Sequence, residues 1–175
     1  MTLTPAQLRR LRIFAEMTDD QITTFIDWLE PLQVKIGRLI VKMHEMGDCM
    51  YLLLDGDVRV SQMVEGRETV LAELMTGDFF GEFCLFHEAP RTADVTAKRD
   101  CQLLKITKPA FAKLMVDHPE IGGRFLFAMM GTVAIRLRTM DRKFVDSMLM
   151  SRYWGKDKPG GAIPSPRPPS SLPPR

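Results

Sequence analysis

The sequence predicts an α+β fold, an antiparallel sandwich or barrel of short strands between helices at the two ends of the chain. Three observations predict it. From about Pro31 to Thr107, short apolar runs alternate with Gly-Asp and Asp-Gly breakers, the texture of many short antiparallel strands. Before that stretch the apolar residues recur at helical spacing. After it, a long segment carries apolar residues three and four apart, again the period of a helix.

Thr4-Pro5 followed by Leu8, Leu11 and Phe14 predicts a short, capped amphipathic helix. A second helix is expected from about Thr18. Asp19 and Asp20 suit its positive end, Ile22, Phe25, Ile26 and Leu29 share one face, and Pro31 is expected to end it. Strands are expected at Leu39–Met43, Met50–Leu54, Asp57–Val64, Thr69–Met75, Ala93–Lys98 and Cys101–Ile106, with Glu65-Gly66 as a hairpin turn. Lys108-Pro109 opens a helix through Phe111, Leu114 and Met115, and His118-Pro119 breaks it and starts another, running to about Met150. In that last helix Leu126, Met130, Val133, Leu137, Met140, Phe144 and Met148 step by 4, 3, 4, 3, 4 and 4. This near-heptad seam is the pattern that pairs two helices, so a homodimer through 119–150 is expected; the alternative is one face packed on the protein's own sheet. Gly122, Gly123 and Gly131 weaken the helix locally and mark hinges or close approaches. Residues 151–175, rich in proline, read as a flexible or polyproline II tail, leaving 1–150 as one domain with its dimerisation helix.

Composition narrows the function classes. A net charge of +2, with 45% hydrophobic and 26% charged residues, fits a soluble globular protein with no strong pull toward nucleic acid or membrane. No leader peptide is expected at Met1–Arg12, and the longest uncharged apolar run, between Arg124 and Arg136, is too short to span a bilayer. Cys49, Cys84 and Cys101 form no metal or disulfide pattern, which fits the cytoplasm. His44, His87 and His118 are isolated from one another, so neither a metal site nor a catalytic triad is expected, and no enzyme.

The chemistry is concentrated in Gly77–Val95. A glycine, a carboxylate directly after another glycine, a short apolar turn of helix and an arginine nine residues beyond that carboxylate are the means to hold a phosphate-bearing ring. Gly81 lets the backbone approach closely. A short helix expected at Gly81–Phe86 offers N–H groups. Arg91 offers a permanent cation with a planar fork.

The motifs Phe80-Gly81-Glu82-Phe83-Cys84-Leu85 and Pro90-Arg91-Thr92-Ala93-Asp94-Val95 resemble, in order and spacing, the phosphate-binding cassette of the cyclic nucleotide-binding domain family. Met50-Tyr51-x-Leu53-Leu54-x-Gly56-x-Val58 and Phe111-x-x-Leu114-x-x-x-His118-Pro119-Glu120 also look like that family. The resemblance implies a jelly-roll-like antiparallel β-roll flanked by N-terminal helices and a long C-terminal helix. It implies a regulatory sensor whose ligand, cAMP or cGMP, is held by the cassette 80–95. Glu82 would then meet the ribose 2′-hydroxyl and Arg91 the phosphate, with Thr92 and Ala93 as further donors. Arg136 and Met140, one turn apart on the last helix, are the candidates to cover the base. Thr92 permits cGMP, while the breadth of family usage leans to cAMP. One departure stands out: where the family usually has a Gly-Asp turn, this chain has His44-Glu45, which histidine's tolerance of positive φ would still allow.

Other functions weigh less. A catabolite activator-like transcription factor carries a DNA-reading domain after the long helix, and only about 25 residues follow Met150, so direct DNA binding is not expected. A degenerate, non-binding roll used for dimerisation or docking is the alternative, against which Glu82 and Arg91 speak. The expected output is an effector protein, unidentified, reached through the last helix or the tail, with no cofactor beyond the ligand.

Overall fold

The computed structural model describes residues 3–154, without the side chains of 151–154. Pro5–Leu8 forms α1 and Arg12–Phe14 a 3-10 turn, so the first expected helix is broken into two short pieces. Asp19–Ile26 is α2, capped by Thr18 and Gln21 in a reciprocal box. It ends before Pro31. That proline instead sits in β1, Glu30–Val34, a strand the sequence did not reveal; β1 lies at a sheet edge, where a missing N–H is tolerated.

The remaining strands are β2 (Leu39–Val41), β3 (Cys49–Asp55), β4 (Asp57–Val64), β5 (Arg67–Met75), β6 (Phe79–Phe80), β7 (Asp94–Ala97) and β8 (Cys101–Thr107). The helices between and after them are α3 (Phe83–Phe86), α4 (Lys108–Asp117) and α5 (Pro119–Trp154). The strands form two four-stranded antiparallel sheets, ordered β1-β8-β3-β6 and β2-β7-β4-β5. The expected hairpin is present: Glu65 and Gly66 take φ values of 50 and 78 between β4 and β5.

Within the first sheet, β3 and β8 are buried on both faces, which explains their near-continuous apolar runs, whereas β1 at the edge is largely exposed. Leu53, Cys101 and Leu103 face a core inside the roll with Val41, Val58, Phe80 and Val95. Met50, Leu52, Leu104 and Ile106 face the helices, where Phe14, Phe25, Phe111 and Phe125 form an aromatic cluster. Ring centroids there lie as close as 4.7 Å, between Phe25 and Phe125. Alternating side chains thus serve two cores from one sheet.

The chain divides into two compact units whose boundary falls inside α5, between Val133 and Ala134. In the first unit Ile121, Phe125 and Met129 are the buried face of α5. The first part of the expected seam does not stand free: Leu126 and Val133 are half-buried and pack against this core, while Met130 is exposed. In the second unit Leu137, Met140, Phe144 and Met148 are exposed, at 50–66%. The helix reaches Trp154; residues 155–175, most of the expected proline-rich tail, lie outside the described residues.

Candidate functional site

The site is built where the chain leaves β6. Tyr51 pairs with Phe80 across the β3–β6 ladder, their rings stacked with centroids 5.2 Å apart, so Phe80 is a wall of the inner core. Gly81 then takes φ 77 and turns the chain off the sheet, a conformation that suits glycine. Glu82 stands at the N-cap position of α3 without a side-chain capping bond, and α3 is shorter than the expected 81–86 helix. It spans one turn, Phe83–Phe86, and its early N–H groups at Cys84 and Leu85 donate to the carbonyls of Gly81 and Glu82. One turn sums few peptide dipoles, so an anion here depends on Arg91 more than on the helix end. Leu85 anchors the turn in the helical core, Cys84 is buried, and Phe83 is exposed.

Arg91 returns to this turn from ten residues on. Its guanidinium donates to the Gly81 carbonyl at 3.2 Å and the Cys49 carbonyl at 2.7 Å, with the Cys49 sulfur at 3.5 Å. Glycines flank it. A Cβ on Gly81 would lie 2.4 Å from an Arg91 Nη, and one on Gly47 would lie 2.6 Å from its Nε and 2.1 Å from the Cys84 sulfur. The slot therefore exists because neither position has a side chain. Among the described residues, Glu82 and Arg91 are the buried charged side chains, at 7% and 9% exposure.

Two ionisable groups beside Arg91 stay uncharged. Burial pushes the Cys49 thiol up, and burial together with the Cys49 hydrogen bond pushes the Tyr51 phenol up. Both groups are therefore neutral at physiological pH and do not neutralise Arg91.

The backbone of Arg91 is held as firmly as its side chain. The Arg91 N–H donates to the Glu45 carbonyl at 2.8 Å, and the His44 N–H donates to the Arg91 carbonyl at 2.9 Å. His44 takes φ 70, so the turn where the sequence departs from Gly-Asp is made by histidine. Pro90 bridges to Met46, the Met43 N–H donates to Asp94 Oδ1, and Gln62 Nε2 donates to the Thr92 carbonyl.

The structure thus brings together Gly81, Glu82, Cys84 and Arg91, with Pro90, Thr92 and Ala93 following on one arm; Pro90 and Thr92 are exposed and Ala93 is buried. Arg136 and Met140 lie in the second unit, the first half-buried and the second exposed. Sequence reasoning did not single out Gly47, Cys49, Tyr51 and Gln62, which the structure places against the cassette. Gly47 read as an ordinary turn glycine, and only packing shows that it clears space for a guanidinium. Among the described residues no group of His, Cys, Asp and Glu is placed to hold a metal ion, and no helix is long and apolar enough to cross a membrane.

Residues 31–118 match the cyclic nucleotide-binding domain family. The chain belongs to that family. Against a cGMP-dependent protein kinase of Caenorhabditis briggsae this family member is 32% identical over 113 residues, 63% of its length and 15% of the kinase's. Against a CRP-like cAMP-activated global transcriptional regulator of Mycobacterium tuberculosis it is 27% identical over 140 residues, 79% of its length and 61% of the regulator's. The crystal structure of the N-terminal domain of a transcriptional regulator from Streptomyces coelicolor superposes with a TM-score of 0.64 at 28% identity, covering 79% of this chain and 94% of that one. The chain therefore spans less than two thirds of either curated relative, and the shared part is the cyclic nucleotide-binding domain with its β-roll.

Proposed function

We propose that this chain is a cyclic nucleotide sensor that binds a 3′,5′-cyclic nucleotide in the cassette and passes the signal to a separate effector protein. The observation that carries this reading is the pair of buried charges, Glu82 and Arg91, set in a cassette of the family's pattern. A purely structural roll needs neither residue, and buried charged groups are rare in a fold unless they serve a site. Arg91 would meet the ligand phosphate, replacing or sharing its present carbonyl partners at Gly81 and Cys49. Glu82 would accept from the ribose 2′-hydroxyl. Gly81 admits the backbone close to the ring, and Thr92 and Ala93 add donors on the returning arm. Both kinds of nucleotide occur in the names of the relatives, cGMP for the kinase and cAMP for the regulator. We favour cAMP, with cGMP admitted by Thr92.

The exposed seam of Leu137, Met140, Phe144 and Met148 supports a homodimer, since such a row is costly in water and suits a second helix. Calorimetric titration with cAMP and cGMP tests the binding reading. Arg91→Ala is expected to lose at least ~2 kcal/mol of affinity, because the phosphate charge loses its main partner. Absence of binding to the unaltered chain at millimolar nucleotide would leave the degenerate docking roll as the better reading.

A further inference from the structure

We propose that Gln62 is a positioning residue for the nucleotide site, holding the Thr92 carbonyl so that the cassette arm keeps one orientation toward the ligand. The inference rests on the cassette reading above and extends it to a residue of β4. The β4–β7 ladder runs from Val58↔Ala97 to Ser61↔Asp94 and stops there. Beyond it the chain bends away at Thr92 and Ala93. Gln62 is the next residue of β4, and its Nε2 donates to the Thr92 carbonyl at 2.5 Å. A side chain thus continues the sheet by one hydrogen bond past its end.

Gln62 shares a face of β4 with Val58 and Val60, which belong to the core inside the roll. The irregularity in the β4–β5 pairing does not change this, because the pairing steps from Val60↔Ala72 to Ser61↔Val70 and leaves the extra residue, Leu71, on β5. The rest of the arm is tied to the loop 43–46, which holds the backbone of Arg91 and the carboxylate of Asp94. The tie at Thr92, between those two, is the Gln62 amide.

The consequence follows from the peptide plane. In a trans peptide the carbonyl of Thr92 and the N–H of Ala93 point in opposite directions within one rigid unit. Fixing the carbonyl therefore fixes the Ala93 N–H, and with it the local backbone that carries the Thr92 hydroxyl. It also occupies a carbonyl oxygen whose partial negative charge would repel a phosphate if the peptide turned over.

The test compares the unaltered chain with Gln62→Leu, Gln62→Glu, Thr92→Ala and the Gln62→Leu/Thr92→Ala double variant. Affinities for cAMP, cGMP and the Rp and Sp phosphorothioate diastereomers of cAMP are measured by calorimetry, beside thermal melts. Gln62→Leu is expected to weaken both natural nucleotides about 10-fold, the scale of one hydrogen bond, with a melting shift of only a few degrees. Gln62→Glu, which keeps the size but repels the carbonyl, is expected to lose at least as much. The Rp-to-Sp ratio is expected to change, since the arm meets the non-bridging oxygens unequally, and the loss from Gln62→Leu is expected to shrink in the Thr92→Ala background. Unchanged affinity, an unchanged Rp-to-Sp ratio, or fully additive losses with Thr92→Ala would overturn the role of Gln62 while leaving the cassette reading intact. An unaltered chain that binds no nucleotide would overturn both.

Discussion

At the scale of single residues the site depends on side chains that are missing as much as on those present. Gly47 is the sharpest case. An alanine there meets the Cys84 sulfur and the Arg91 guanidinium at distances no Cβ contact sustains, so something must move. Gly47→Ala is expected to weaken nucleotide binding at least ~10-fold by displacing Arg91, and to cost about 1–3 kcal/mol of stability. Adding Cys84→Ala removes the closest clash and should recover part of the stability without restoring binding, because the guanidinium remains crowded. Denaturant titration and calorimetry on the two variants check both halves of this expectation. Arg91 and Glu82 were legible in the sequence because charged residues beside a glycine turn form a local pattern. Gly47, Cys49 and Tyr51 were not, because they reach the arginine from a separate segment, across a contact that no local pattern encodes.

Among the elements, two turns at one end of the roll are tied together by charge. Arg99, between β7 and β8, donates to Asp55 and Asp57 on either side of the β3–β4 turn, and Lys35 pairs with Asp100. Arg99 holds the Asp55 carboxyl below the usual carboxylate range, and Lys35 with the Ile36 N–H does the same for Asp100. A depressed folded-state value means stability that is present above the unfolded-chain value, ~3.9, and is lost as pH falls through the folded one. Stability is therefore expected to fall between roughly pH 5 and pH 2, and Asp55→Asn should flatten part of that slope in urea titrations. These pairs are exposed, so 1 M salt should reduce their share. The strands these turns join were mostly visible as alternating apolar runs with Gly-Asp punctuation. β1 was hidden by its proline and β6 by its length of two residues, Phe79–Phe80, both being strands only because a neighbouring strand pairs with them.

At the scale of the whole molecule, the exposed apolar row of α5 suits a partner helix. Leu137, Met140, Phe144 and Met148 recur at the spacing of a helix pair and are exposed in a single chain. The protein is expected to run as a dimer in light scattering after size exclusion, and Leu137→Arg with Phe144→Arg to run as a monomer, since each places a charge in the seam. A monomeric unaltered chain would instead favour an effector protein as the occupant of that face. The helical spacing of the exposed apolar row was readable from the sequence; the neighbouring face of Ile121, Phe125 and Met129 was not singled out, because its residues become a face only against Phe14, Phe25 and Phe111.

The sequence by itself determined the class of fold, the alternation of strands and turns, the family, and the two charged residues of the cassette, since each is written in residues close together along the chain. Tertiary structure decided the rest. It showed that the guanidinium of Arg91 lies in a slot between two glycines, that His44 makes the turn expected of glycine, and that Gln62 carries the sheet past its end to Thr92. The physical reason is separation in sequence. Hydrogen bonds and steric clearances between segments tens of residues apart arise only when the chain has closed, whereas period, turn chemistry and motif spacing are fixed before it does.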